Sequence, residues 1–241
     1  MGIPLPQPPP DAPAPPPGPE ALRSQRKMRW IIRGIVAGLF LCGLLLLAPF
    51  VLKSAPAAPR TEALSDIKQI STMLFEFDSE YGTFPSADTI DSVKDETKTT
   101  LTLGSSSSNQ LFRQLLVSTS GIKSERPFWV KTGFFNRRPD DIFNTDTTAL
   151  AKGECVFAYV AGLNSSGDPQ TPVVMTPLIS GKQEFDPGPF KGYAVILRLD
   201  NSAVPYPIDK NGHVILSNGM DIFDPRQPFW HGKAPDVKWP E

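Results

Sequence analysis

The feature that most restricts this chain is an apolar run from Trp30 to Leu52, in which Arg33 is followed by nineteen uncharged residues from Gly34 to Leu52. At about 1.5 Å of rise per residue, those residues approach the roughly 30 Å hydrocarbon thickness of a bilayer. A helix packed on a soluble core carries a polar stripe, and this run carries none. The sequence therefore predicts a transmembrane helix over 30–52. Trp30 suits the headgroup region, and Arg33 can extend its guanidinium outward from the first turn. Gly34 and Gly38 allow close backbone approach, so the same anchor offers a helix–helix dimer contact. The competing reading is a secretory leader cleaved near Ala55-Pro56-Ala57; its length of more than fifty residues and its long apolar core both exceed that pattern.

The flanks orient the expected anchor. Arg23, Arg26, Lys27, Arg29 and Arg33 stand on the N-terminal side, against Lys53 and Arg60 on the other. That bias predicts a cytoplasmic N-terminus and an exterior C-terminal bulk. Cys42 is no lipidation site, because Phe40 and Leu41 are too large for the small residues that precede one. Removing residues 1–53 leaves 188 residues, enough for one hydrophobic core. This remainder holds eighteen bases against twenty-three acids, and a mildly acidic domain argues against nucleic acid as a partner. Two cysteines cannot build a disulfide framework; Cys155 opens an apolar run and reads as a small core residue.

Residues 1–29 form a tail with ten prolines among the first twenty, too poor in apolar surface to fold. Its Pro-x-x-Pro spacings, such as Pro6 to Pro9, read as tail before docking motif. A linker over 53–60 contains Pro56 and Pro59, which would interrupt a continuous helix. From 61 to 241 the chain reads as one α+β domain. Leu64, Ile67, Ile70, Leu74, Phe77 and Tyr81 lie on one helical stripe, predicting an amphipathic helix over Thr61–Glu80 with Thr61 as its N-cap and Gly82 as its stop. Residues 87–106 are polar and carry no clear signal. Ser107 and Gln110 stand in capping-box spacing before Leu111, Phe112, Leu115 and Leu116, predicting a second short helix. A long loop covers 128–150, with a weak helix over 145–152. Four strands follow, over Cys155–Ala161, Val173–Ile179, Gly192–Leu199 and His213–Leu216. Asn211-Gly212 and Asn218-Gly219 suit type I′ turns. Short sequential strands joined by tight turns predict an antiparallel meander carrying the long helix, and Trp230 and Trp239 pin the tail to its surface.

The residues for catalysis are sparse. His213 and His231 are the only histidines and have no metal-ligand spacing. No phosphate loop, nucleophile elbow or dinucleotide fingerprint is present. Asp140 and Asp141 beside Arg137 and Arg138 read as a solvated ion-pair cluster. Asp209, Asn211, Asp221 and Asp224 are candidate calcium ligands, although no Glu stands at the twelfth position that an EF-hand requires; turns with capping carboxylates are the plainer reading. A second functional class is an anchored binding domain for polysaccharide or peptide, using Phe128, Trp129, Phe229 and Trp230 as exposed stacking surfaces.

One stretch carries a family likeness. The helix opening Glu62-Ala63-Leu64-Ser65-Asp66-Ile67 and closing Phe77-Asp78-Ser79-Glu80-Tyr81-Gly82-Thr83-Phe84-Pro85-Ser86 resembles that of type II secretion pseudopilins of the major-subunit kind. The nearest likeness is to the divergent members of the Verrucomicrobia and Planctomycetes group, where phrases like Phe157–Gly162 and Ala194–Asp200 recur. The resemblance covers about residues 60–241 and implies a pilin-like fold: an apolar membrane helix, an amphipathic helix, then a small antiparallel sheet. It further implies no catalysis, a place in the inner membrane with a periplasmic domain, partners among secretion or pilus-like assembly proteins, and a calcium loop on the sheet side. The chain departs from the family's cleavage signature: the fifth residue after Gly34 is Leu39 where the family has Glu, and no acid occurs through Leu52.

Overall fold

The computed structural model describes residues 58–118, 123–132 and 137–241. The chain divides into two units, Met1–Ser54 and Ala55–Glu241, and all described residues belong to the second. The expected tail, the transmembrane span and its residues Trp30, Arg33, Gly34 and Gly38 lie outside the described residues. No described helix is long and apolar enough to cross a membrane.

Helix α1 spans Ala58–Tyr81. Its stripe is sealed: Ala63, Ile67, Ile70, Met73, Leu74 and Phe77 are buried, each larger side chain contributing roughly 1.5–3 kcal/mol. The expectation of an N-cap at Thr61 is corrected, because the helix starts three residues earlier. Pro59 does not break it, since a proline in the first turn lacks only an N–H that has no intrahelical partner. The C-terminus is as expected. Gly82 takes φ +77°, and its N–H bonds back to the Asp78 carbonyl at 2.7 Å. The exit then docks on the sheet: Phe84 N–H donates to Leu163 O at 3.1 Å, and the Tyr159 hydroxyl to Pro85 O at 3.0 Å.

Helix α2, Ile90–Thr97, went unforeseen because it buries a single side chain, Val93, and so displays no stripe. Helix α3, Ser108–Val117, begins where the capping box places it, with Ser107 Oγ accepting from Gln110 N at 3.2 Å. Only half of the box forms: the Gln110 amide oxygen turns to Ser106 instead. Lys123 closes the other end, donating to the Leu116 and Ser118 carbonyls at 3.0 and 2.6 Å. A buried network of Ser86, Thr89 and Gln114 ties α2 to α3. Residues 145–152 form turns in place of the expected helix.

Five strands make one antiparallel sheet: β1 Ala158–Ala161, β2 Pro172–Thr176, β3 Tyr193–Arg198, β4 Ala203–Pro207 and β5 Asp236–Lys238, in the order β4-β3-β2-β1-β5. Strands β1 to β3 match the first three strands of the expected meander, whereas β4 lies ahead of the fourth, which was expected over His213–Leu216. On one face Tyr159, Val174, Val195 and Leu197 meet the helices. On the other, Ala158, Val160, Met175, Ala194 and Ile196 meet a layer of loops through Phe185, Val214, Ile222, Phe223 and Trp230. Burial on both faces explains why the central strands read as unbroken apolar runs. The tail pins as anticipated at Trp239, whose indole N–H donates to Lys182 O at 2.9 Å. Trp230 goes further and joins the core.

The β4 edge resists further pairing. Ile208 N–H bonds to Gly192 O and Arg198 N–H to Ser202 O, so by alternation the nitrogens of Ala203, Pro205 and Pro207 face outward. Two of these three positions have no proton to donate, which is how an edge strand is blunted. The expected strand His213–Leu216 reduces to one bridge, Ile215 to Asp221. It is squeezed between two tight loops that are not type I′: in each, only the glycine has positive φ, Gly212 at +86° and Gly219 at +78°. The Gly212 N–H bonds to Asp209 O and the Gly219 N–H to Leu216 O, the pattern of a type I turn closed by a left-handed residue. A β-carbon at Gly212 would also stand 3.1 Å from the Phe185 carbonyl oxygen. Gly212→Ala is therefore expected to cost about 1–3 kcal/mol, against a few tenths for a surface change such as Ser217→Ala; thermal unfolding of the two variants checks it.

Candidate functional site: a charged groove beside the long helix

The segment after α3 returns along the open flank of α1. A 3₁₀ turn, Arg126–Phe128, begins it, with Pro127 presetting the backbone. Phe128 and Val130 are buried, Trp129 is half-buried, and Arg126 and Lys131 are exposed. That alternation is what an extended strap over a core requires. Between strap and helix lies a groove of about 620 Å³, with Glu62 and Asp66 on the helix and Arg126, Trp129, Lys131 and Arg138 among the residues opposite.

Glu62 and Asp66 are one helical turn apart, so their like charges share a face. Partial burial, with the Glu62 charge adding, pushes the Asp66 carboxyl up to about 7. Gln69 Nε2 donates to Asp66 Oδ1 at 3.3 Å, and no cation pairs with Asp66 among the described residues. Arg126, Lys131 and Arg138 likewise form no ion pair there. The Trp129 indole N–H is shielded from solvent and has no hydrogen-bond partner among the described residues, an omission that costs about 1–3 kcal/mol while it lasts. Two walls of opposite charge thus face each other without touching, beside an aromatic with a donor to spare. The arrangement complements a polypeptide stretch that carries both signs of charge.

The candidate calcium residues are held otherwise. Asp209 Oδ1 accepts the N–H groups of Asn211 and His213, both at 2.8 Å; these bonds hold its carboxyl below the usual range. Asp221 Oδ1 accepts from Phe223 N at 2.7 Å, while Oδ2 lies 3.0 Å from His213 Nδ1. Asp224 is gripped by the Arg226 guanidinium and amide, which brings it down to about 2. The structure therefore gathers Asp209, His213 and Asp221 at one hairpin and turns Asp224 to its own arginine. Among the described residues, no group of three or more His, Cys, Asp or Glu side chains could hold a metal ion.

The proposed stacking surface is corrected. Phe128, Phe229 and Trp230 are core residues, because each packs against other buried rings or, for Trp230, also spends its N–H on Ile222 O at 2.7 Å. Trp129 alone of the four reaches the surface groove. Cys155 is buried as expected, and burial pushes its thiol up to about 12. The Arg137–Asp140 pair forms at 2.9 Å, yet the cluster is not simply solvated: Arg137 Nε also lies 2.9 Å from Glu154, which is fully buried. Of the groove, sequence reasoning named only Trp129 as a binding residue, and placed Arg138 in a solvated ion-pair cluster. Glu62 and Asp66 offered a faint signal, an i,i+4 like-charge pair beside an apolar stripe; Arg126, Lys131 and Arg138 are scattered over a loop and offered none.

The chain matches no protein-family model, no curated protein and no solved structure.

Proposed function

We propose that this chain is a non-catalytic, membrane-anchored assembly protein of the pseudopilin-like kind, fixed in the inner membrane by residues 30–52 and acting through its exterior domain. The observation that carries the reading is the two-sided use of α1. One face is sealed on an antiparallel sheet, and the other is left to a groove whose charges are unmatched. The apolar run before α1 and the docked Gly82–Ser86 exit support the same reading, and the blunted β4 edge leaves the groove as the natural contact for a partner chain. The lack of the family's Glu after Gly34 favours an anchored accessory over a filament subunit. Docking of a cationic side chain on Asp66 would draw its carboxyl down and release a proton.

The test is in-cell photo-crosslinking from position 69, beside Asp66. The expected result is capture of a discrete neighbour by full-length protein in the inner-membrane fraction. Arg138→Glu should reduce that capture about tenfold, as a loss of about 1.4 kcal/mol implies. Recovery of the chain in sheared surface fibres, lacking residues 1–33, would sink the accessory version. Unchanged capture in Arg138→Glu would remove the groove from it.

A further inference from the structure

The strap that forms the groove's basic wall is tied down from behind at one residue. Glu125 is fully buried. Its backbone N–H donates to Asp141 Oδ1 at 2.9 Å, and its Oε1 accepts the N–H of Leu150 at 2.6 Å. Both of those partners hold left-handed backbone without being glycine, Asp141 at φ +59° and Leu150 at φ +40°. Such conformations persist only where the surroundings over-determine them, and here Glu125 is what the two share. Next to Leu150, the Ala151 N–H is taken by Oε2 of a second fully buried carboxylate, Glu154, at 2.8 Å. Two consecutive amides are therefore clamped by two buried carboxylates.

The charge around this clamp does not balance. Arg137 is the cation in contact, 2.9 Å from Glu154 Oε1, but it is half exposed and shared with Asp140. Glu125 Oε2 has no hydrogen-bond partner among the described residues. Facing Glu125 are Glu154, Asp140 and Asp141, all acidic.

We propose that Glu125 and Glu154 form a proton-operated latch: with a proton on the pair the segment from Arg137 to Ala151 is held on the core, and when that proton passes to water the two carboxylates repel and the segment is let go. The operating range follows from burial, which pushes the Glu125 carboxyl up to about 7, with Glu154, Asp140 and Asp141 adding and the Leu150 N–H opposing. Glu154 is raised by burial too, with the Ala151 N–H and Arg137 opposing. A carboxyl raised in the folded state favours folding below its unfolded pKa of about 4.3, and that advantage is lost as pH rises through about 7. The latch is thus closed at mildly acid pH and open above neutrality. Arg138 sits on the same segment, so opening also displaces one charge of the groove wall.

Hydrogen exchange of the full chain in detergent, read by mass spectrometry at pH 6 and pH 8 and corrected for the chemical rate at each pH, tests this. Peptides covering 140–152 should lose about tenfold protection at pH 8, while those covering β3 hold theirs. Glu125→Gln keeps the acceptor for Leu150 and removes the charge, so its 140–152 peptides should stay protected at both values. Asp66→Asn, which removes the other carboxyl that titrates near 7, should leave the loss in place. Equal protection of 140–152 at both pH values in the natural chain overturns the latch, as does a loss spread evenly over the sheet. Should Glu125→Gln fail to fold, those two wild-type readings and Asp66→Asn decide the matter.

Discussion

Replacing Phe112 by alanine should lower the stability of this domain by about 3–5 kcal/mol and its unfolding temperature by roughly 10 °C. Phe112 is where three elements meet. It projects from α3, its ring lies 5.0 Å from that of Phe128 in the 3₁₀ turn, and 5.3 Å from that of Tyr159 on β1. All three rings are fully buried. Aromatic pairs at such distances add about 0.5–1.5 kcal/mol each beyond the area they bury, and neighbours fixed by a sheet and a helix cannot collapse into the space left. The Tyr159 hydroxyl is itself held by Pro85 O, which further limits relaxation. Ile142→Ala is the control: at 49 % exposure its side chain buries little, and its effect should stay within about 0.5 kcal/mol. Near-ultraviolet circular dichroism during heating reads both. A loss below about 1 kcal/mol for Phe112→Ala would mean that the three-ring contact is not the junction described.

What the sequence disclosed of this fold tracks how much apolar surface each element buries. Helix α1 advertised itself through six apolar positions at helical spacing, and β1 to β3 through unbroken runs such as Ala194–Leu197, because those elements are covered on the faces that the patterns mark. Helix α2 buries one valine and β5 one valine, so neither had a pattern to offer. Strand β4 was concealed by Pro205 and Pro207, residues that ordinarily argue against a strand; at an edge, with their nitrogens outward, they belong there. The turn type was misjudged for a similar reason. Asn-Gly is the strongest local signal for a two-residue hairpin, yet the hydrogen bonds here close a longer loop in which only the glycine is left-handed. The groove and the carboxylate clamp were invisible for a different cause. They join residues far apart in the chain, such as Asp66 with Arg138 and Glu125 with Glu154, and nothing in local spacing encodes that meeting.

Arg137→Gln carries the second large effect, and its size depends on pH. Removing the guanidinium leaves Glu154 Oε1 buried beside no cation. Breaking a fully buried pair in this way costs about 3–5 kcal/mol; because Arg137 is 52 % exposed, solvent screening reduces the expected loss to roughly 2 kcal/mol. Glu154 is already raised by burial, with Arg137 pulling the other way, so the variant raises it further. The loss is therefore smaller at lower pH, where the orphaned carboxyl can take up a proton, and larger as pH rises. Glu154→Gln alone keeps an oxygen for the Ala151 N–H and removes the buried charge, so it should be close to neutral. In the double variant the Arg137→Gln penalty should vanish, giving a coupling of about 1 kcal/mol or more. Equal losses at pH 5 and pH 8, or strict additivity of the two changes, would place Arg137 at the surface with Asp140 alone and detach it from the clamp.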